Sequence, residues 1–314
     1  MDALSGLLDG PRARDAFLMR AVMSPPWCIR VQDEAPLSLV AVTGGSAWVA
    51  LDDGSEPTLL ATGDLAVLRG PDHYTMADDL STPVQVVVHP GQRCTTPEGV
   101  STTEAMTLGV RTWGNDPDGR VTMLVGTYQV SGAVSRRLVD ALPPLAVVRD
   151  EECSSPLPDL LAEEIVKDEP GQDLVLDRML DLMLVAVLRL WFSRPEATAP
   201  AWYRAHGDPV VGPALRHLHN DPSRAWTVAS LAAATGVSRA ALARRFTELV
   251  GEPPMTFLTG WRLALAADLL REPGATVGGV AQQVGYATPF ALSTAFKRVN
   301  GVSPRDYRER AGTR

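Results

Sequence analysis

Short apolar runs separated by turn signals dominate the chain from Pro36 to about Val148. They include "LSLVAV", "SAWVAL" closed by "DDG", "DLAVL" closed by "RGPD" and "PVQVVV" closed by "HPG". Runs of about four to eight residues between Gly, Pro and Asp clusters are typical of strands. Many short strands at close spacing predict an antiparallel barrel or sandwich over residues 36–148.

The periodicity changes after "LPPLAVV", where apolar residues recur three and four positions apart. This spacing predicts helices over about 157–193. The second of these helices carries a broad apolar stripe, made of Leu176, Met179, Leu180, Met183, Leu184 and Val187. A stripe this broad fits burial beneath the barrel and also a seam with a second copy of the chain, and the two are compatible.

A Pro/Ala-rich segment, "SRPEATAPAW", follows these helices, and beyond it the periodic segments are helical. Such a composition is typical of a linker. We therefore predict an α+β chain of two domains. The first, over residues 1–200, is an antiparallel β-barrel with helices, and the second, over 201–314, is all-α.

The tail contains one pattern twice. "TVASLAAATGVSRAALARRF" begins at Thr227 and "TVGGVAQQVGYATPFALSTAF" begins at Thr276. Each copy has a capping Thr, a short helix, a glycine, a second capped start and a longer helix. This order predicts two helix-turn-helix units.

Two glycines occupy the equivalent position in the two units, Gly236 and Gly285. We expect both to adopt left-handed backbone, which ends the first helix and allows a sharp turn. The second helix of each unit should then bury one apolar row: Leu242, Phe246 and Leu249 in the first unit, and Leu292, Phe296 and Val299 in the second.

The charge of the chain also divides near this boundary. Residues 222–314 hold 12 Lys/Arg and 6 Asp/Glu, although the whole chain has a formal charge of −8. A basic module on an acidic body is typical of a protein that binds a polyanion through one domain. Because a helix fits the DNA major groove and arginine forms a bidentate contact with guanine, we assign Arg244 as a base reader.

Residues from about Trp226 to Arg308 resemble the DNA-binding domain of the AraC/XylS family of transcription regulators. The resemblance rests on "GVS" and "RRF" in the first unit, on "WRLALAADLL" as a joining helix, and on "VGY" and "AFKRVNGVSPRDYR" in the second unit. It implies a sequence-specific regulator that binds double-stranded promoter DNA, with RNA polymerase as a further partner.

The resemblance and the exposed faces of the second helices together supply the candidate DNA contacts. Base-facing positions are Arg239, Ala240, Ala243 and Arg244 in the first unit, and Phe290, Ala291 and Thr294 in the second. Candidate phosphate contacts, which set affinity and salt dependence, are Ser238, Arg245, Arg262, Thr288, Lys297 and Arg298. The family commonly has arginine at the position of Thr294 and a small polar residue at that of Phe290. The second unit is therefore expected to depend more on shape and apolar contact.

The strands over 36–130 resemble the cupin-type barrel that is frequent in the N-terminal part of this family. That resemblance implies binding of a small-molecule or redox effector, and a homodimer. Aromatic residues and one histidine are candidates for an effector pocket: Trp48, His73, Tyr74 and Trp113. Aromatic residues on strands are also usual in an ordinary core, so both interpretations stay open.

Metal and thiol chemistry have weaker support in the sequence. Enzymatic cupins hold a metal with clustered histidines and a glutamate, whereas His73 and His89 of the barrel region stand apart from each other. We therefore predict no metal site and no cofactor. Cys28 and Cys94 are candidates for redox sensing if they meet across the fold, although sensing requires an accessible thiol of low pKa.

The leading hypothesis is a transcription regulator, not an enzyme, in which the barrel senses a signal and the tail binds DNA. A metal-dependent cupin enzyme fused to a DNA-binding domain is the alternative, and a barrel that only dimerises is a third possibility. No apolar run reaches the roughly 18 residues of a membrane span, and the N-terminus has no secretory pattern, so we expect a cytoplasmic protein without membrane contact.

Overall fold

A computed structural model describes residues 17–128, 133–153, 155–194 and 199–311. The strands lie in the first half of the chain. They are β1 (Phe17–Met23), β2 (Cys28–Val31), β3 (Leu37–Gly44), β4 (Ser46–Leu51), β5 (Thr58–Ala61), β6 (Leu65–Arg69), β7 (Tyr74–Ala77), β8 (Val86–His89), β9 (Arg93–Thr95), β10 (Thr107–Gly109), β11 (Thr112–Gly114), β12 (Val121–Tyr128) and β13 (Leu145–Val148).

Helices occur between the later strands and throughout the second half of the chain. They are α1 (Thr103–Met106), α2 (Ala133–Val139), α3 (Leu157–Glu164), α4 (Gln172–Ser193), α5 (Ala201–Arg204), α6 (Val211–Asn220), α7 (Val228–Ala234), α8 (Arg239–Val250), α9 (Pro254–Leu269), α10 (Val277–Gln283), α11 (Pro289–Asn300) and α12 (Pro304–Ala311).

The strands form two sheets, in the orders β10-β11-β1-β12-β3-β6-β13 and β5-β4-β7-β2-β8-β9. The predicted α+β class with a cupin-like barrel and a helical C-terminal region is therefore confirmed. Two details differ from the sequence prediction. The β1/β11 and β2/β8 pairs are parallel, and β1 and β2 precede Pro36, where the strands were expected to begin.

One hydrophobic core lies between the two sheets. Along β4, Ala47 and Val49 are almost completely buried in this core, whereas Trp48 between them is partly exposed, which is the alternation expected of a half-buried strand. β3 differs because six consecutive residues, 37–42, are buried. Both faces of β3 are therefore covered.

The long helix α4 packs on one of those sheets. A Cβ atom added at Gly126 of β12 would lie 2.6 Å from the Leu180 side chain, so the glycine permits close approach of the helix. The buried Tyr128 hydroxyl donates a 2.8 Å hydrogen bond to the Leu180 carbonyl oxygen. Five of the six residues of the Leu176–Val187 stripe are buried and Met179 is partly buried, which fits the first of the two interpretations of this stripe.

The chain divides into two compact units, here called the barrel unit and the C-terminal unit. Besides residues 199–311, the C-terminal unit includes the segment around α2, which the sequence prediction of a single break near residue 200 does not separate from the barrel. The reason is a specific contact with α9. The Asp268 carboxylate accepts hydrogen bonds from the backbone N–H groups of Ala133 (2.5 Å) and Val134 (3.1 Å).

The two predicted helix-turn-helix units are present in the C-terminal unit. Thr227 and Thr276 cap the first helices through their side chains, and Ser238 and Thr288 cap the second helices. Gly236 and Gly285 have φ of 71° and 79°, which confirms the predicted left-handed turn. The second helices end at left-handed Gly251 and Gly301.

Each helix-turn-helix unit has its own hydrophobic core, and α9 contributes to both cores. Phe257 and Leu258 of α9 join the first core, which includes Leu242 and Phe246 of α8. Further along the same helix, Leu263 and two alanines join the second core, with Leu292 and Phe296 of α11. The joining helix therefore forms part of the packing of both units.

The predicted burial of Val299 is wrong, because 60% of this residue is exposed. The buried row of α8 is Leu242, Phe246 and Val250, spaced by four residues, and Leu249 is only partly buried. The buried residues of α11 are Leu292 and Phe296, and the last turn, residues 297–300, is exposed, so Val299 lies beyond the buried row.

Candidate nucleic-acid interface and barrel cavities

The first recognition helix, α8, presents a basic face to solvent. Arg239, Ala240 and Arg244 are exposed and Ala243 is partly exposed. The Arg244 side chain is 73% exposed, and its contact with Glu248 is a 3.4 Å surface pair one turn along the helix. Exposed pairs of this kind contribute little to stability, so the guanidinium is available to exchange Glu248 for a base edge.

The second recognition helix, α11, presents a less polar face. Phe290 is 81% exposed, and Ala291 and Thr294 are also exposed. The Thr294 hydroxyl donates to the Phe290 carbonyl oxygen at 3.0 Å, which leaves its methyl group and oxygen lone pairs for other contacts. Lys297 and Arg298 are exposed near the end of the same helix. A large exposed aromatic side chain on a helix is a common sign of a binding surface.

Two of the candidate phosphate contacts are already engaged as helix caps. The Ser238 side-chain oxygen accepts from the Ala241 N–H at 3.2 Å, and that of Thr288 accepts from the Ala291 N–H at 3.1 Å. An accepting hydroxyl keeps its own proton. Both residues can therefore cap the helix and donate to a phosphate oxygen at the same time.

Arg245 differs from Arg244 because it forms a close ion pair inside the C-terminal unit. Its Nε and Nη2 atoms lie 2.9 and 2.5 Å from one carboxylate oxygen of Asp208, whose side chain is only 8% exposed. The hydrogen bond from Arg245 lowers the pKa of the Asp208 carboxyl. The geometry supports a structural role for Arg245 in attaching α8 to the segment before α6.

Arg262 is also engaged with backbone. From the joining helix α9, its Nε donates to the Pro222 carbonyl oxygen and its Nη2 donates to the Arg224 carbonyl oxygen, both at 2.7 Å. Gly285 of the second unit lies against the same turn, since an added Cβ would be 2.4 Å from the Ser223 carbonyl oxygen. The turn over 222–224 leads into the first helix-turn-helix unit. It is thus held by α9 and by Gly285 of the second helix-turn-helix unit.

Three of the four predicted effector residues line one or both of two cavities in the barrel unit. His73 lines a cavity of about 330 Å³ together with Asp52 and Asp72. Trp113 lines a second cavity of about 360 Å³, and Tyr74 contributes to both. Trp48 is not among the residues that line either one, because it lies on the face of β4 opposite to Ala47 and Val49.

The two candidate redox cysteines are not brought together. Cys28 is on β2 and Cys94 is on β9, and β8 runs between them. Strands two positions apart in a sheet are separated by about 9.6 Å, because each inter-strand spacing is about 4.8 Å. This distance exceeds the roughly 7 Å limit of Cα separation for a disulfide. Burial raises the pKa of both thiols, which reduces the fraction of reactive thiolate. Pairing of these residues across the fold would require a rearrangement of the sheet.

Sequence reasoning missed the strands that form much of the wall of the second cavity. Met19 of β1, and Ile29 and Val31 of β2, line it, as do Asp33 and Gln92 in the loops. The short run "FLMRAVM" is interrupted by a charged residue, and "CIRV" is only four residues long. The pairing of both strands with distant segments could not be deduced from such short signals.

Within the described ranges, no group of three or more His, Cys, Asp or Glu residues is arranged to hold a metal ion. A search of the same residues also finds no helix with the length and apolar character needed to span a membrane.

Comparisons with known proteins agree with this architecture. A family model described as "Cupin" matches residues 2–193, and one described as "Helix-turn-helix domain" matches residues 231–310. A putative AraC-like transcription regulator of Streptomyces lividans is 34% identical over 314 residues, covering 98% of each chain. A protein of the same description from Streptomyces antibioticus is 32% identical, over 98% of this chain and 99% of the relative. The transcriptional regulator AlkR of Acinetobacter baylyi is 26% identical, over 99% of this chain and all of the relative.

Proposed function

This chain belongs to the family of AraC-like transcription regulators, and on that premise we propose how its two units act. It is a DNA-binding transcription regulator, and we propose that α8 and α11 enter successive major grooves of promoter DNA, about 34 Å apart along the duplex. One observation carries this proposal. Arg244 and Phe290 are exposed on helices whose opposite faces are buried in two separate cores joined by α9.

The residues divide by the kind of contact they offer. Arg239 and Arg244 are proposed to donate to base edges, and Phe290 to contact a thymine methyl group. Lys297 and Arg298 are proposed to neutralise phosphates, so that each contributes to the salt dependence of binding. A regulator bound at a promoter acts where the DNA and RNA polymerase are, and we therefore propose a cytoplasmic location and a contact with RNA polymerase.

The assignment of Arg244 is tested by the substitution Arg244→Ala. Loss of a bidentate contact to guanine is expected to weaken specific binding by about 1–3 kcal/mol and to relax the preference for one base pair. Fluorescence anisotropy with the operator and with each single-base variant measures both effects. Equal affinity of wild type and variant for every duplex would contradict the assignment.

Arg245→Ala is the matched control, because it removes a neighbouring arginine from the same helix. Its pairing with Asp208 predicts a lower free energy of unfolding and unchanged base preference. Urea denaturation and the same anisotropy series separate the two variants. A change of base preference in Arg245→Ala but not in Arg244→Ala would reverse the two roles.

We propose that the barrel unit senses a small molecule and does not catalyse a reaction. The 360 Å³ cavity lies within the range of about 300–1,000 Å³ that is typical of ligand pockets. The relatives are described as transcription regulators, which supports a sensing role for the barrel. A ligand that binds the native state raises its apparent stability, so thermal denaturation with candidate molecules tests this role.

We also propose that α4 pairs with α4 of a second copy of the chain. Besides its buried face, α4 carries a second apolar stripe that is exposed or partly exposed, formed by Val175, Met179, Leu182 and Ala186. Positions spaced by four, three and four residues match the a and d positions of a coiled coil. A twofold arrangement places each stripe against its own copy.

Leu182→Asp is expected to convert the dimer to a monomer, because Leu182 is 53% exposed at the centre of this stripe and a carboxylate there would be desolvated in a pair. Sedimentation velocity measures the change. Leu174→Asp is the control, since Leu174 is 61% exposed on the same helix but lies outside the stripe. A monomeric wild type, or equal dissociation by both variants, would exclude this seam.

A further inference from the structure

The larger cavity of the barrel unit, of about 360 Å³, has mainly apolar walls. Its lining includes Met19, Ile29, Val31, Met76, Met123 and Val125, which come from strands of both sheets. The two sheets therefore enclose a space from which an apolar molecule gains by leaving water. The polar groups on this wall narrow the chemical class of that molecule.

Trp113 supplies an unsatisfied hydrogen-bond donor to this wall. The residue is 8% exposed, and among the described residues its indole Nε1 has no hydrogen-bond partner. A buried N–H without an acceptor is costly, and buried donors are almost always paired. Trp113 is also one of the residues that line the cavity, which makes this donor the candidate partner for an oxygen atom of a bound molecule.

The charges on the wall disfavour an anionic ligand. Asp33 lines the cavity and accepts hydrogen bonds from the Gln92 amide at 3.1 Å and from the Ala35 N–H. Burial and the nearby Asp33 raise the pKa of Tyr74, so its hydroxyl stays neutral. The cation on the wall, Arg111, is paired with Asp173. A buried anion would therefore lie near the Asp33 carboxylate, and it would have to displace Asp173 to pair with Arg111.

We propose that this cavity binds a neutral, predominantly apolar molecule with a hydroxyl or carbonyl oxygen, which accepts a hydrogen bond from the Trp113 indole. The inference rests on the proposed sensing function of the barrel and names the chemical class of its ligand. Apolar contact with the walls provides affinity. The single acceptor fixes the orientation of the molecule.

The experiment compares probes of one chain length with the full-length protein by isothermal titration calorimetry at pH 7. Octan-1-ol and octan-2-one are expected to bind, and octanoate is expected to bind at least about tenfold more weakly, because burying an anion near Asp33 is disfavoured. Failure of octan-1-ol and octan-2-one to bind, or octanoate binding as tightly as octan-1-ol, would overturn the proposal.

Trp113→Phe removes the indole donor and keeps an aromatic ring. We expect its affinity for octan-1-ol to fall about fivefold to tenfold, as for the loss of one hydrogen bond. Trp27→Phe is the matched control. Trp27 is completely buried in the same core and its Nε1 is likewise without a partner in the described structure, but it does not line the cavity. Unchanged affinity in Trp113→Phe, or an equal loss in Trp27→Phe, would contradict the assigned contact.

The same preparations are tested for DNA binding, which separates this inference from the proposed function. Retained operator binding in a protein that binds neither octan-1-ol nor octan-2-one would overturn only the ligand class. Absence of specific DNA binding in the folded wild type would overturn the proposed function of the C-terminal unit, whatever the cavity binds.

Discussion

Gly285→Ala is expected to produce one of the largest losses of stability and DNA binding among single substitutions in the C-terminal unit. Gly285 has φ of 79°, and its added methyl group would lie 2.4 Å from the Ser223 carbonyl oxygen and 2.7 Å from the Ser223 Cα. Left-handed backbone costs a non-glycine residue about 1–3 kcal/mol, and overpacking costs about 1–3 kcal/mol more. The displaced turn is also the one held by Arg262.

This substitution should therefore change the relation between the two helix-turn-helix units as well as their stability. Gly236→Ala is the matched control, because Gly236 has φ of 71° but no atom within 4 Å of its added Cβ. We expect the control to show only the cost of the backbone conformation. Urea denaturation and footprinting measure the two effects, and equal losses in the two variants would show that contact with Ser223 is unimportant.

Phe296→Ala should destabilise the second helix-turn-helix unit by about 3–5 kcal/mol, as expected for removing a completely buried phenylalanine. Its ring packs edge-to-face with Tyr307 at a centroid distance of 5.3 Å, within the second of the two cores. The first core does not contain Phe296. Footprinting should then lose protection over one of the two major grooves, and hydrogen exchange should increase first in α10 and α11.

Val299→Ala provides the control on the same helix. Val299 is 60% exposed, and substitutions at such positions usually change stability by no more than about 0.5 kcal/mol. Its footprint should match that of wild type. If Phe296→Ala instead loses protection over both grooves together, the two hydrophobic cores unfold as one cooperative unit and are not independently stable.

The C-terminal unit was predictable because its signals are local. Capping residues, left-handed glycines and apolar spacing each act within one or two turns, and Thr227, Gly236 and Gly285 have the predicted conformations. Val299 was misassigned because positions three and four residues beyond Phe296 are both compatible with helical spacing. Both of these positions are exposed, and only the packing of the neighbouring helices determines that the buried row ends at Phe296.

The barrel was predictable in class but not in detail. Parallel pairing of β1 with β11 joins residues about 90 positions apart, and no local pattern specifies such a pair. The positions of Trp48, His73 and Trp113 relative to the cavities follow from those pairings. Arg244 and Arg245 are adjacent and chemically identical, so only the location of Asp208 distinguishes an exposed guanidinium from one in an internal ion pair.

The hydrogen bonds from the start of α2 to Asp268 limit where the chain can be cut when the C-terminal unit is separated from the barrel unit. A DNA-binding fragment cut at residue 199 would lack α2, and Asp268 would lose two backbone donors. The surface of α9 that α2 covers would become newly accessible. A hybrid that joins this tail to an unrelated sensor therefore needs residues 131–141 as well.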